Sequence, residues 1–329
     1  MSRPRPARHL RRTVLGLAAP LALLAAATTA CSSDAAPAPG GAKGDKATAA
    51  AQQGGTTPAA PTPAGPPGVL FDSFRYTGAE DPSLAAHGWE VRTDGGGPGV
   101  KDTWTKSGVS FPNGGDAQGG QAMQLRLTTD GTPKNTKQVE IGRSEGEFLN
   151  GTVAARVWFS DKPTSGKDGD HINECFYTIS PSHTSAKYSE LDYEYMPNGG
   201  WGSAGPRLDT TSWRSSTPGD RDTTGTKKSL AGWHTMMITA DNKAVTYSMD
   251  GKVLFTSDSR SYPKEKLSIR FSAWLIDLPS TVTGPRTWDM KVNWLYYQAD
   301  KNVPQAEVEK AVAGLYAAGT PYLNTVGKS

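Results

Sequence analysis

Residues 190–194 read Glu-Leu-Asp-Tyr-Glu, three acids at alternate positions inside a run of strand-forming residues. Successive side chains of a strand point to opposite faces, so Glu190, Asp192 and Glu194 share one face and Leu191, Tyr193 and Tyr195 share the other. Three neighbouring carboxylates repel one another, while the apolar reverse side marks the strand as part of a packed sheet. Two carboxyl groups facing a cleft are the minimum equipment for breaking a glycosidic bond.

Spacing alone is weak evidence, because the chain has 32 Asp and Glu among 329 residues. A solvated acidic edge strand and a calcium site are the competing readings. An edge strand has no need of Tyr193 and Tyr195 on its reverse side, since edges are kept short and blunted. Calcium takes its oxygen ligands mostly from loops and carbonyls.

The elements that must carry these acids are strands. Short β-type runs separated by Gly, Pro, Asn, Asp and Ser fill residues 69–300, among them 151–159, 172–180, 188–196, 233–240, 244–249, 267–276 and 287–297. Val153, Ala155, Val157 and Phe159 oppose Thr152, Ala154, Arg156 and Trp158. Leu267, Ile269, Phe271, Ala273 and Leu275 oppose Ser268, Arg270, Ser272 and Trp274. Asp250-Gly251 is a hairpin turn signal. No helical period is sustained and no repeat appears, so an all-β sandwich is expected over parallel α/β folds or a propeller. In the tail, 301–329, Val308, Val312, Leu315 and Tyr316 recur at helical spacing between Pro304 and Gly319, which predicts a short C-terminal helix packed on the sandwich.

The N-terminal end reads as export machinery. Five arginines precede an uncharged stretch that runs from Val14 to Ala30, the layout of a signal over residues 1–30. Arg11-Arg12 is similar to a twin-arginine signal. Thr28-Thr29-Ala30-Cys31 resembles a lipobox, with Thr28 where leucine is usual, so Cys31 is the expected lipidation site. The expected location is the outer face of the cytoplasmic membrane, with plain secretion as the alternative. Residues 31–68 lack any aromatic and are rich in Ala, Pro, Gly and Thr, a tether that cannot bury enough surface to order itself. The formal charge of +3 comes from the leader; from Cys31 onward 30 basic residues face 32 acidic ones. That balance offers no footprint for nucleic acid. With Cys31 lipidated, Cys175 has no disulfide partner and is read as a buried, inert thiol.

The motif Glu190-Leu191-Asp192-Tyr193-Glu194 resembles the Glu-x-Asp-x-Glu signature of glycoside hydrolase family 16. Phe71-Asp72-Ser73-Phe74 with Trp89, Gly151–Val157, Gly232-Trp233-His234-Thr235, Asp250-Gly251, Ala273-Trp274 and Val292-Asn293-Trp294 resemble further family segments, in order, over residues 69–299. The resemblance implies a concanavalin A-like β-jelly roll with a concave cleft and retaining, endo-acting cleavage of a β-linked glucan or galactan. It also implies Glu190 as nucleophile, Asp192 as assisting carboxylate and Glu194 as acid/base. A retaining pair works at about 5–5.5 Å between carboxyls, whereas four strand residues span roughly 13 Å, so a curved sheet must lean the two glutamates together. Glu194 must start protonated and Glu190 ionised, with Asp192 sharing a proton or hydrogen bond; the set titrates as one. The family's tryptophan-rich strand is replaced here by Cys175-Phe176-Tyr177-Thr178, and Ser272 stands near a frequent asparagine, which leaves sugar specificity open.

Sugars lay their C–H faces on aromatic rings, which makes Trp274, Trp201 and Trp158 candidate platforms, although a structural role fits Trp158 equally. His234 is a candidate for the cleft rim or a structural histidine; Trp288 and Trp294 are assigned to the core, and His171 and His183 to loops. The chemistry needs no cofactor, no metal ligand set is legible, and structural calcium has no support in the sequence. The expected partner is a β-linked polysaccharide, met by a monomer that touches the membrane only through its lipid. A non-catalytic carbohydrate-binding lipoprotein on the same fold and a transglycosylase are the alternatives.

Overall fold

The structure is a computed structural model that describes residues 65–327; the expected leader, Cys31 and the tether up to residue 64 lie outside the described residues. Two antiparallel sheets form a sandwich, the all-β jelly roll expected from the sequence. The first sheet has seven strands in the order Arg221–Thr226, Arg207–Trp213, Glu190–Met196, Ile172–Ile179, Ser268–Leu275, Val139–Arg143 and Trp89–Val91. The second has nine. Its main path runs Lys252–Ser257, Ala244–Met249, Gly232–Asp241, Gly151–Phe159, Arg286–Ala299, Val69–Asp72 and Tyr322–Asn324, with Met123–Thr129 also on the long Arg286–Ala299 strand and Val109–Ser110 beyond it.

The alternation dictates the packing. Val153, Val157 and Phe159 of one sheet and Ile269, Phe271 and Leu275 of the other are fully buried in one shared core, each such side chain contributing about 1.5–3 kcal/mol by leaving water. Trp288 and Trp294 are buried as expected. The Asp250-Gly251 turn has φ of 51° and 76°, the paired positive values that suit Asp-Gly in a two-residue hairpin.

The opposite face of the Gly151–Phe159 strand departs from simple alternation, since Thr152 and Ala154 are buried too. Ala154 is covered by the helix Gln305–Ala317, whose Val308 and Val312 pack on it with Met237, Trp294 and Tyr296, and Thr152 by the segment before the helix, bonding Lys301 O and Val303 N–H. It ends where expected: Gly319 has φ +66°, with its N–H donating to Tyr316 O and that of Thr320 to Leu315 O, a Schellman closure. The chain after residue 300 is more than a helical tail, because Tyr322–Asn324 pairs with Leu70, Phe71 and Asp72 as a strand of the second sheet. None of the described helices is long and apolar enough to cross a membrane.

Candidate active site

The acidic strand Glu190–Met196 is not an edge. It pairs along its length with Arg207–Trp213 on one side and Ile172–Ile179 on the other. Leu191, Tyr193 and Tyr195 are wholly buried on its reverse face. The Tyr193 hydroxyl points at Met237 O (2.7 Å) and Ser248 O (2.9 Å) of the second sheet, and the Tyr195 hydroxyl donates to Asp161. A one-residue slip would turn all three acids into the core, so this reverse face fixes the register that presents them outward.

Outward lies a cleft of about 1100 Å³ that crosses the seven-stranded sheet from Glu90 at one edge strand to Arg221 at the other. Glu190 and Glu194 are half-buried in its floor, and Asp192 between them is buried. Each acid has its own donor. The Tyr188 hydroxyl donates to Glu190, the Trp213 indole N–H donates to Asp192 Oδ2 at 2.9 Å, and the Asn173 amide donates to Glu194 Oε1 at 2.7 Å. None of the three acids has an ion-pair partner among the described residues.

Burial is therefore the dominant influence on their protonation. It raises Glu190 to about 7 against the donors Tyr188 and Asp192, and raises Glu194 to about 7 against Asn173, with the charge of Glu190 adding to the rise. Asp192 is driven well above the usual carboxylate range by burial and then by both glutamate charges. Its Oδ1 finds no donor in the protein, which fits a protonated Asp192 handing its hydrogen to Glu190. The two glutamates thus sit in unlike settings. Glu190 receives two donors that favour its anion; Glu194 receives one, with a negative neighbour that favours its acid form.

The profile of glycosyl hydrolases family 16 matches residues 98–296 of the chain. The chain belongs to glycosyl hydrolase family 16. It is a glycoside hydrolase acting on O-glycosyl bonds. No curated protein matches the sequence. Among similar solved structures is a β-glucanase of Bacillus licheniformis, 15% identical with a TM-score of 0.52, covering 70% of this chain and 98% of its own. Another is a Bacteroides ovatus mixed-linkage-glucan GH16 in complex with a G4G4G3G product, 15% identical, TM-score 0.51, covering 68% and 98%. A third is an immunostimulatory antigen and pseudo β-1,3-glucanase of Mycobacterium tuberculosis, 17% identical, TM-score 0.51, covering 70% and 99%. At these identities the likeness speaks for the fold.

Within this family 16 cleft, two of the three candidate platforms meet. Trp274 lines the cleft with most of its ring packed on Trp104 and Cys175, and Trp201, 57% exposed, stands beside it with ring centroids 6.2 Å apart. Cys175 is buried, and burial lifts its thiol well above the ordinary range, so the inert reading fits.

Trp158 and His234 do not belong to the cleft. Both lie on strands of the second sheet, where Trp158 is opposite Trp233 with the Lys291 ammonium 4.8 Å from its ring. Alternation correctly placed Trp158 on a non-core face but could not say of which sheet. His234 is held by Asp250 (2.7 Å) and Leu230 O (3.2 Å). Asp250 also bonds the backbone of Thr235 in both directions, so the Trp-His and Asp-Gly segments form one structural clasp. The Phe71–Trp89 segment is likewise structural, with the Trp89 indole and the Phe74 N–H donating to buried Asp72, both at 2.7 Å.

The sequence did not single out Tyr188 and Asn173, the donors to Glu190 and Glu194, or Trp213 and Arg221 of the cleft lining. Tyr188 and Asn173 fall on predicted strands, Tyr188 in phase with the acids. Trp213 and Arg221 sit on strands with no apolar alternation to reveal them. His183, assigned to a loop, stacks on Tyr188 with centroids 5.5 Å apart and also lines the cleft. Among the described residues no group of three or more His, Cys, Asp or Glu is arranged to hold a metal ion.

Proposed function

We propose that this enzyme is an endo-acting, retaining hydrolase of a β-linked glucan, with Glu190 as nucleophile, Glu194 as acid/base and Asp192 as the assisting carboxyl. The observation that carries the reading is the trio of carboxyls on one strand in the floor of an open cleft, each with its own donor and none with a cation. The similar structures named for β-glucan chemistry favour that polymer class.

The local chemistry suits the roles. Glu190, hydrogen-bonded by Tyr188 and by protonated Asp192, is the easier of the two to ionise and attacks the anomeric carbon. Glu194, protonated beside that charge, donates to the leaving oxygen and then takes a proton from the incoming water. Trp201 and Trp274 line the cleft at the Glu194 end, Trp274 lying opposite Asn173, the donor to Glu194. The cleft crosses the whole sheet, which suits binding within a long chain rather than at its end.

The test is the anomeric configuration of the first product released from a panel of β-glucans, read by proton NMR before mutarotation. Retention is expected; inversion would remove Glu190 from the nucleophile role. For Glu194→Ala, aryl glycosides with good leaving groups should keep far more activity than the polymer, and equal losses on both would exclude its acid role.

A further inference from the structure

The outer face of the nine-stranded sheet carries aromatic residues that the cleft does not use. The helix Gln305–Ala317 covers one part of that face with Val308 and Val312. Beyond its edge Trp158 and Trp233 stand side by side as cross-strand partners, both half-buried. Lys291, opposite Trp158 on its other side, holds its ammonium 4.8 Å from the Trp158 ring, and the Arg156 guanidinium lies 5.3 Å from that of Trp233. The Trp233 indole N–H is tied to Asp116 at 2.7 Å, which fixes the ring's orientation.

Between this pair and the helix runs a groove of about 430 Å³, lined among others by Trp233, Arg156, Trp294, Gln118, Gln305 and Glu309. Trp294 is 1% exposed, and its indole N–H has no acceptor among the described residues. A buried donor left unpaired is costly, and this one lies behind the groove wall with almost no accessible surface.

We propose that this face is a second, non-catalytic glycan-binding surface: Trp158 and Trp233 stack pyranose rings, and the groove beside the helix takes an adjoining sugar among Arg156, Gln118, Gln305 and Glu309. The lining is aromatic rings interleaved with guanidinium, amide and carboxylate groups. That mixture suits a hydroxyl-rich ring with apolar C–H faces better than an apolar protein segment. The surface lies on the opposite side of the sandwich from the acids, so it holds a different stretch of polymer, or a different chain, from the one being cut. The inference rests on the reading of the substrate as a β-glucan polymer.

Affinity electrophoresis through gels holding soluble β-1,3-glucan or mixed-linkage β-1,3-1,4-glucan, with sedimentation on insoluble β-1,3-glucan, tests it. The wild type should be retained by at least one glucan. Trp158→Ala/Trp233→Ala should weaken retention about tenfold or more, as loss of buried aromatic anchors does. Ala313→Trp, which fills the groove from the exposed side of the helix, should do the same without removing any sheet residue. Hydrolysis of short soluble oligosaccharides by both variants should stay within about twofold of wild type, as expected for surface changes remote from the cleft. Equal retention of wild type and variants, or no retention of the wild type by any of the glucans, would overturn the proposal. Retention lost in Trp201→Ala/Trp274→Ala but kept in the outer variants would overturn it while leaving the cleft reading intact. Retention lost only in the outer variants of a protein that cleaves no glucan would keep this surface and count against the cleft reading. A dimer that the outer variants convert to monomer would reassign the face to self-association.

Discussion

Asp170 and Asp192 are both buried aspartates of one sandwich, and their surroundings are opposites. Asp170 accepts two charge-assisted bonds from Arg286, whose side chain is as fully buried as its own, and a third from the Trp288 indole at 2.9 Å. Asp192 accepts one indole N–H, has an oxygen without a donor and sits between two more carboxyls. At Asp170, where the buried carboxylate holds the fold, the chain supplies a guanidinium fork. At the three neighbouring carboxyls it places no direct ion-pair partner among the described residues, and burial pushes their affinity for protons up. The difference is between one carboxylate kept as an anion by a cation and a cluster in which burial favours the acid form.

The largest expected effect strikes only the second kind. Glu190→Gln should lower turnover of the polymer by roughly 10⁴-fold or more, the scale on which removing a nucleophile acts, while glucan affinity measured by calorimetry stays near wild type. Normal initial rates in this variant would end the nucleophile assignment. Asp170→Asn should do the reverse. Breaking one partner of a buried ion pair costs about 3–5 kcal/mol, so its denaturation midpoint should drop steeply while turnover per folded molecule is preserved. If Asp170→Asn proved as mild as Asp192→Asn in urea, the contrast between the two sites would collapse.

How much of this was legible in the sequence follows from the same physics. The acidic strand stood out because its reverse face, Leu191, Tyr193 and Tyr195, is the apolar half of a period-two pattern. Its neighbour Arg207–Trp213 did not, because the core-facing positions beside Leu208 are Thr210 and Ser212, polar groups buried at 2% and 0% exposure. Ser212 is paired there with the Tyr247 hydroxyl at 2.7 Å, a long-range compensation that no local pattern reveals. Trp213, the donor to Asp192, was hidden with that strand. Trp158 shows the complementary limit, since periodicity gives a face but sheet order decides which face surrounds the acids. Tyr322–Asn324, at three residues, is too short to carry a period at all.

A smaller effect bears on stability. The folded-state pKa of Asp192 is raised above the ordinary 3.8. Below that value the residue is protonated in both folded and unfolded chains and contributes no difference. As pH rises through it, the unfolded chain gives up a proton that the folded chain keeps, so stability falls. Asp192→Asn imitates the protonated acid and removes this penalty. It should be more stable than wild type at pH 7, and the gain should vanish below about pH 4. Urea titrations at the two pH values measure this, and a gain that was independent of pH would point to packing instead of protonation.

The finest distinction concerns the two glutamates. Both are raised to about 7 by burial, and each is drawn back most by a hydrogen-bond donor of its own, Tyr188 for Glu190 and Asn173 for Glu194. If Glu190 must be ionised and Glu194 protonated, activity follows a bell centred near neutrality. Tyr188→Phe removes a donor that favours the Glu190 anion, so the acidic limb should move to higher pH and the bell should narrow. Asn173→Ala removes a donor that favours the Glu194 anion, so the basic limb should move to higher pH and the bell should widen. The paired shifts are a few-fold changes on opposite flanks of one curve, and general loosening of the cleft would not produce them, since it would lower the whole profile alike. Because the carboxyls titrate as a set, the limbs belong to the cluster and not to one residue. The diagnostic is therefore which limb each variant moves. Should both variants move the same limb, the division of labour between Glu190 and Glu194 would have to be withdrawn, even with the fold and the cleft unchanged.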